Sequence, residues 1–134
     1  MTFEEIAETL PNGFHDAKLR RLQVDFAAYS IAIQLLLLVG EPDTATPEEY
    51  RAGTLTMESP LFFFLEPPDP QYPFIFDGSP VNIDGDSVRA GQNASVDSLL
   101  SMLAVGAVAY RFFLEEWNSF LYLAAESVEL SWDE

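Results

Sequence analysis

Residues 17–40 read AKLRRLQVDFAAYSIAIQLLLLVG, and the spacing of their apolar side chains decides the fold class. Tyr29, Ile31, Ile33, Leu35, Leu37 and Val39 recur at every second position, with Ser30, Ala32 and Gln34 between them. That is the period of a strand with one buried face. Leu36 and Leu38 interrupt the alternation, so the far end of this strand is expected to be covered on both sides. Upstream, Leu22 and Val24 share one face whereas Ala17 and Leu19 carry the opposite parity. One extra residue at Arg20-Arg21, a β-bulge, reconciles them, and Asp25 to Ala28 reads as the hairpin connection.

Working outward, residues 1–10 read as a helix. Thr2 is placed to cap it with Glu5 three residues on, and Phe3, Ile6, Ala7 and Leu10 share one face. Leu10-Pro11-Asn12-Gly13 ends it, because proline restricts the residue before it and Asn-Gly accepts positive φ. Beyond the strand pair, residues 41–49 are acidic and proline-containing and read as a solvated loop with a helical turn at Pro47 to Tyr50. A third strand is expected over residues 51–57. Residues 61–76 concentrate Phe62, Phe63, Phe64, Phe74 and Phe76 with Pro67, Pro68, Pro70 and Pro73, and these prolines are expected to forbid a central strand or a helix. They read either as a loop folded over a sheet face, with Phe62, Phe64, Phe74 and Phe76 as its lid, or as a partner-binding surface.

Residues 77–91 are turn-rich, with a hairpin connection expected around Asp84-Gly85. Ser95 or Asp97 is placed to cap a short helix carrying Val96, Leu99, Leu100 and Leu103. Strands are expected over residues 107–115, 120–125 and 128–132, with Glu126-Ser127 as a turn between the last two. The expectation is a single α+β domain over residues 1–134, mainly an antiparallel sheet of about five to seven strands, with an N-terminal helix and one further short helix.

Composition narrows the function. The chain of 134 residues holds 22 Asp plus Glu against 6 Lys plus Arg, a formal charge of −16, and no Cys. Phosphate recognition needs a basic stripe, and only Lys18, Arg20 and Arg21 lie close together, so neither nucleic acid nor an anionic membrane is an expected partner. Those three cations either bind an anionic ligand or pair with the chain's own carboxylates. Without Cys there are no disulfides, thiolate metal sites or cysteine nucleophiles. Residues 1–10 lack the basic and then apolar pattern of a secretory signal, and no apolar run reaches about 20 residues, so a cytoplasmic location is expected.

Three groups invite a chemical reading. His15-Asp16 pairs the one histidine with a carboxylate that could orient it as a general base. No Gly-x-Ser-x-Gly elbow supplies a nucleophile, and the alternative is that His15 caps or packs the first strand. Asp77, Asp84 and Asp86 are oxygen-rich, but Asp84-Gly85-Asp86 lacks the distal glutamate of a calcium loop and reads as turn chemistry, so no metal and no cofactor are expected. No phosphate-binding loop is present. The third group is acidic: Glu41, Asp43, Glu48 and Glu49 beside Tyr50, and Glu126, Glu129, Asp133 and Glu134 beside Trp132. Each pairs steering charge with one aromatic side chain able to anchor a partner.

The stretch from Leu10 to Ala17 (LPNGFHDA), followed by Leu19 and by Leu22-Gln23-Val24-Asp25-Phe26, resembles the opening of small uncharacterised bacterial families. Some of these look like the immunity proteins of toxin systems. The resemblance spans residues 10–26 and implies a compact sheet protein with a helix or two, and no catalytic residue to carry over. Together with the charge, it makes a non-catalytic module that occludes a basic protein partner the leading expectation. Glu41, Asp43, Glu48, Glu49, Tyr50, Glu129 and Trp132 are then the candidate binding residues. The alternatives are a small hydrolase-type enzyme using His15 and Asp16, or a homodimer built from sheet edges or exposed aromatics.

Overall fold

A computed structural model of the chain describes residues 1–41, 43–72 and 77–133. Six antiparallel strands close into a barrel. They are β1 (Ala17–Asp25), β2 (Ser30–Leu38), β3 (Tyr50–Leu65), β4 (Val81–Ser87), β5 (Val108–Leu114) and β6 (Ser119–Trp132). Two three-stranded meanders, β1-β2-β3 and β4-β5-β6, meet along β3–β6 and again along β1–β4. The ring of strands is complete but its ladders are not, since β1 meets β4 only over residues 17–19 and β6 leaves β5 after Ala125, and alternate side chains fill the interior. Among the described residues no helix is long and apolar enough to cross a membrane.

The alternation of β2 is realised: Ile31, Ile33, Leu35 and Leu37 are buried, facing Leu55 and Met57 of β3 and Leu121, Leu123 and Val128 of β6 within one core. Leu36 and Leu38 are half-buried. The parity switch in β1 is a true irregularity, since the register with β2 shifts between Leu19 and Arg21.

Helix α1 (Phe3–Glu8) has its capping box: Thr2 Oγ1 accepts from the Glu5 amide at 3.0 Å and Glu5 Oε1 accepts from the Thr2 amide at 3.1 Å. Its apolar face closes the region where β6 leaves β5 after the Val108–Ala125 pair. Phe3 stacks on Tyr110 at 5.1 Å, and Phe14, just past the turn, meets Phe112 edge-on at 5.3 Å. Gly13 takes φ +52° in that turn, as the Asn-Gly pair predicts.

Several expectations change. Residues 61–65 are not loop: β3 runs on to Leu65, paired with β6 from Phe62–Ala124 to Leu65–Leu121. Proline is tolerated because β2 ends opposite Glu58, so Pro60 sits where no strand waits for its missing N–H. Phe62 and Phe64 therefore belong to the sheet, and Phe64 meets Tyr122 edge-on at 6.2 Å. Phe74, Phe76 and Pro73 lie outside the described residues.

Asp84-Gly85-Asp86 is not a hairpin connection but the middle of β4, paired with Phe113, Phe112 and Arg111 of β5. Glu126-Ser127 is not a turn, because β6 is continuous from Ser119 to Trp132. Tyr50 opens β3 instead of closing a helical turn. The second helix, α2 (Ala94–Leu100), is capped by Asn93, whose side chain accepts from the amides of Ser95 and Val96. Asn93 precedes both expected caps, and its extended backbone points its carbonyl at those amides.

Candidate functional site

An apolar groove forms where β2 and β3 part. Their pairing stops at Ser30–Glu58, and the next residue on each strand, Tyr29 and Ser59, lies in the left-handed region at φ +54° and +49°. Neither is glycine, and a bulky aromatic in this conformation carries strain of order 1 kcal/mol. The Asp25 carboxylate holds the hairpin by accepting from the Ala28 amide at 2.9 Å. The two backbone reversals turn the strands apart and open a cavity of about 370 Å³ bordered by Phe26, Tyr29, Ile31, Leu61, Phe63 and Leu99.

The rim is unusually apolar for a surface. Phe26 is 85% exposed, Tyr29 56%, Leu61 41% and Phe63 42%. Leu61 also borders a neighbouring cavity of about 240 Å³ formed with Ala104, Val105, Gly106, Ala107 and Glu126. Exposed Val105 extends the patch. A contiguous apolar surface of this kind is a common mark of an interaction site. A hairpin turn normally takes small polar residues, so Phe26 and Tyr29 within 25–29 were the signal in the sequence that composition and alternation passed over.

The acidic candidates lie elsewhere. Loop residues Glu41, Asp43, Glu48 and Glu49 are exposed at the opposite end of β2, roughly 25 Å away by a strand rise of about 3.3 Å per residue. Trp132 comes to that same end, paired with Gly53, while Glu129 is exposed opposite Thr56. Asp133 Oδ1 accepts from Thr54 Oγ1 at 3.0 Å, and Glu134 lies outside the described residues. The structure thus gathers the acidic loop, Tyr50 and Trp132 at one end of the barrel. Both aromatics already have a cation from their own chain: Lys18 Nζ lies 4.8 Å from the Tyr50 ring centroid and Arg51 Cζ lies 4.5 Å from that of Trp132. The Tyr50 hydroxyl also donates to the Asp16 carbonyl at 3.1 Å. Burial, then the charges of Asp16 and Glu48, push its pKa up.

His15 is exposed and faces two carboxylates. Its Nδ1 is 3.2 Å from Asp84 Oδ2 and its Nε2 is 3.5 Å from Asp16 Oδ2. The hydrogen bond to Asp84 raises its pKa against the opposing effect of desolvation, and the charges of Asp16, Asp84 and Glu115 add to the rise. An imidazole held toward its protonated form, with an acid at each nitrogen, is poorly arranged to take a proton from a substrate. Asp84 is 69 residues away and reads in the sequence as turn chemistry; closure of β1 on β4 brings it to His15.

Asp86 has a different task. Arg111 donates to its Oδ2 from Nη2 at 2.8 Å and from Nε at 3.2 Å, and Arg89 approaches at 3.7 Å. These contacts, the Arg111 hydrogen bonds foremost, hold the Asp86 carboxyl below its usual range against desolvation. Arg111 also lies 3.9 Å from the Phe120 ring centroid. Ion pairs among the described residues are made by His15, Arg89 and Arg111, so Lys18, Arg20 and Arg21 do not pair with the described carboxylates as one reading of the sequence had it. Among the described residues no group of three or more His, Asp or Glu side chains is arranged to hold a metal ion.

No family model and no curated protein matches the chain. Among solved structures, an uncharacterized protein from Neisseria gonorrhoeae is similar over 87% of this chain and 91% of its own, at 8% sequence identity and a TM-score of 0.46.

Proposed function

We propose that the chain is a non-catalytic protein-binding module of the inhibitor or immunity type, which occludes a basic partner through the groove between the β1–β2 hairpin and β3. The observation that carries this reading is the cluster of Phe26, Tyr29, Leu61 and Phe63, a set of large apolar side chains left in solvent around a cavity. Such side chains supply the off-rate of a complex, since burying each anchor contributes about 1.5–3 kcal/mol. The formal charge of −16 supplies the other half, steering a positively charged partner and raising the on-rate. The anchors are thereby moved from Tyr50 and Trp132 to the groove, while the exposed acids of the loop act at a distance as part of the field.

The test is site-specific photo-crosslinking in the native host, with the reactive group at position 26 and, as a control, at exposed position 20. The reading requires a basic protein captured from position 26 but not from position 20, with capture lost in Phe63→Asp and slowed by added salt. Equal capture at both positions, or none at 26, would sink it.

A further inference from the structure

We propose that the outer half of β3, residues 61–65, is a docking edge at which an extended segment of a basic partner adds as a further strand. This rests on the protein-binding reading above and names its mode.

Beyond the Ser30–Glu58 pair β3 has lost β2, yet it stays extended and paired with β6 for the length of residues 62–65. Glu66 donates its amide to the Phe120 carbonyl at 3.0 Å. Main-chain groups alternate sides along an antiparallel strand, so Phe62 and Phe64 also face β6. Leu61, Phe63 and Leu65 therefore aim their N–H and C=O groups the other way, where no described strand pairs with them. Residues 20–25 of β1, 84–87 of β4 and 126–132 of β6 likewise have a strand on one side only, but among these open stretches it is 61–65 that carries large exposed apolar side chains. Proteins usually blunt such an edge with lysine, proline or an inward charge. Here Pro60 frames the edge on one side and the half-buried Glu66 followed by Pro67 on the other, and residues 61–65 themselves carry no charge and no proline.

The side chains along it suit an added strand. Leu61, Phe63 and Leu65 are 41%, 42% and 41% exposed, in one row that leads into the cavity beside Phe26 and Tyr29. A strand laid there gains main-chain hydrogen bonds for affinity, and every second side chain enters the apolar groove for specificity. Charge selects the partner. No Lys or Arg occurs between Arg51 and Arg89 or between Arg21 and Arg51, while Asp25, Glu58 and Glu126 stand exposed around the groove. The fitting segment alternates apolar residues with lysine or arginine. A second copy of this chain would bring a like charge of −16 to the same edge, and repulsion opposes it.

The test uses the full chain and a peptide of alternating valine and lysine, with a valine–glutamate peptide as control. Amide hydrogen exchange is followed by NMR. In the free protein the amides of Leu61, Phe63 and Leu65 should exchange fast and those of Phe62 and Phe64 slowly; the lysine peptide should slow the first set at least about tenfold. It should bind at least about tenfold tighter than the glutamate peptide, and Phe63→Lys, checked for an unchanged melting curve, should abolish the protection. Binding at Phe26 and Tyr29 without protection of the three amides overturns strand addition but leaves the groove as a binding site. Loss of crosslinking at position 26 as well removes the protein-binding reading itself. Slow exchange at the three amides in a dimer that Phe63→Lys dissociates overturns the proposal in favour of self-association.

Discussion

Gly85 lies against the hydroxyl end of Tyr110. A Cβ at Gly85 would sit 2.5 Å from the Tyr110 hydroxyl oxygen, 2.7 Å from its Cε2 and 3.0 Å from Phe14 Cβ. The glycine is there for close approach in mid-strand, and its φ needs no left-handed freedom. Tyr110 is 5% exposed and its pKa is pushed up to about 12, chiefly by burial and then by the charges of Glu4, Asp86 and Asp84.

Gly85→Ala should therefore overpack this corner and cost about 1–3 kcal/mol. Chemical denaturation measures it, and Tyr110→Leu in the same background should recover part of the loss. A fully tolerated alanine would show that Tyr110 moves aside at no cost.

Leu35 is fully buried in the middle of β2. Leu35→Ala should cost about 2–5 kcal/mol by equilibrium unfolding, the range for a large-to-small change in a packed core. A loss below about 0.5 kcal/mol, the size expected of a surface position, would place this face outside the core.

The His15–Asp84 contact makes a pH-dependent contribution whose sign is fixed. The folded pKa of His15 is raised above its ordinary 6.5, so the stabilisation is fully present below that value and is lost as pH rises through the folded pKa. Asp84→Asn should lower the melting temperature at about pH 5.5, and the gap from the unmutated chain should close toward about pH 8.5. An NMR titration placing His15 at or below 6.5 would contradict the assignment.

Tyr29 ties the groove to its backbone strain. Asparagine tolerates φ near +54° better than tyrosine does, so Tyr29→Asn should raise stability by a few tenths to about 1 kcal/mol while weakening partner capture. Thermal unfolding decides it: a loss greater than about 1 kcal/mol would mean that the packing of the ring outweighs the strain.

Local physics made much of this protein legible in its sequence. The Thr2–Glu5 capping box, the Asn12-Gly13 turn, the period-two face of β2 and the Arg20-Arg21 bulge each depend on residues a few positions apart, and each stands in the structure. What only the tertiary structure decided depends on partners far along the chain. Closure of β1 on β4 brings Asp84 to His15, pairing with β5 makes a strand of what reads as a turn and Tyr110 explains the glycine within it, and β6 holds residues 61–65 extended despite the prolines around them. The groove belongs to the same class, because it exists only where β2 ends one pair short of Tyr29 and Ser59 and β3 continues without it. A strand's own residues set which face is apolar, but the neighbour across the ladder, absent from any local window, sets whether its edge is closed.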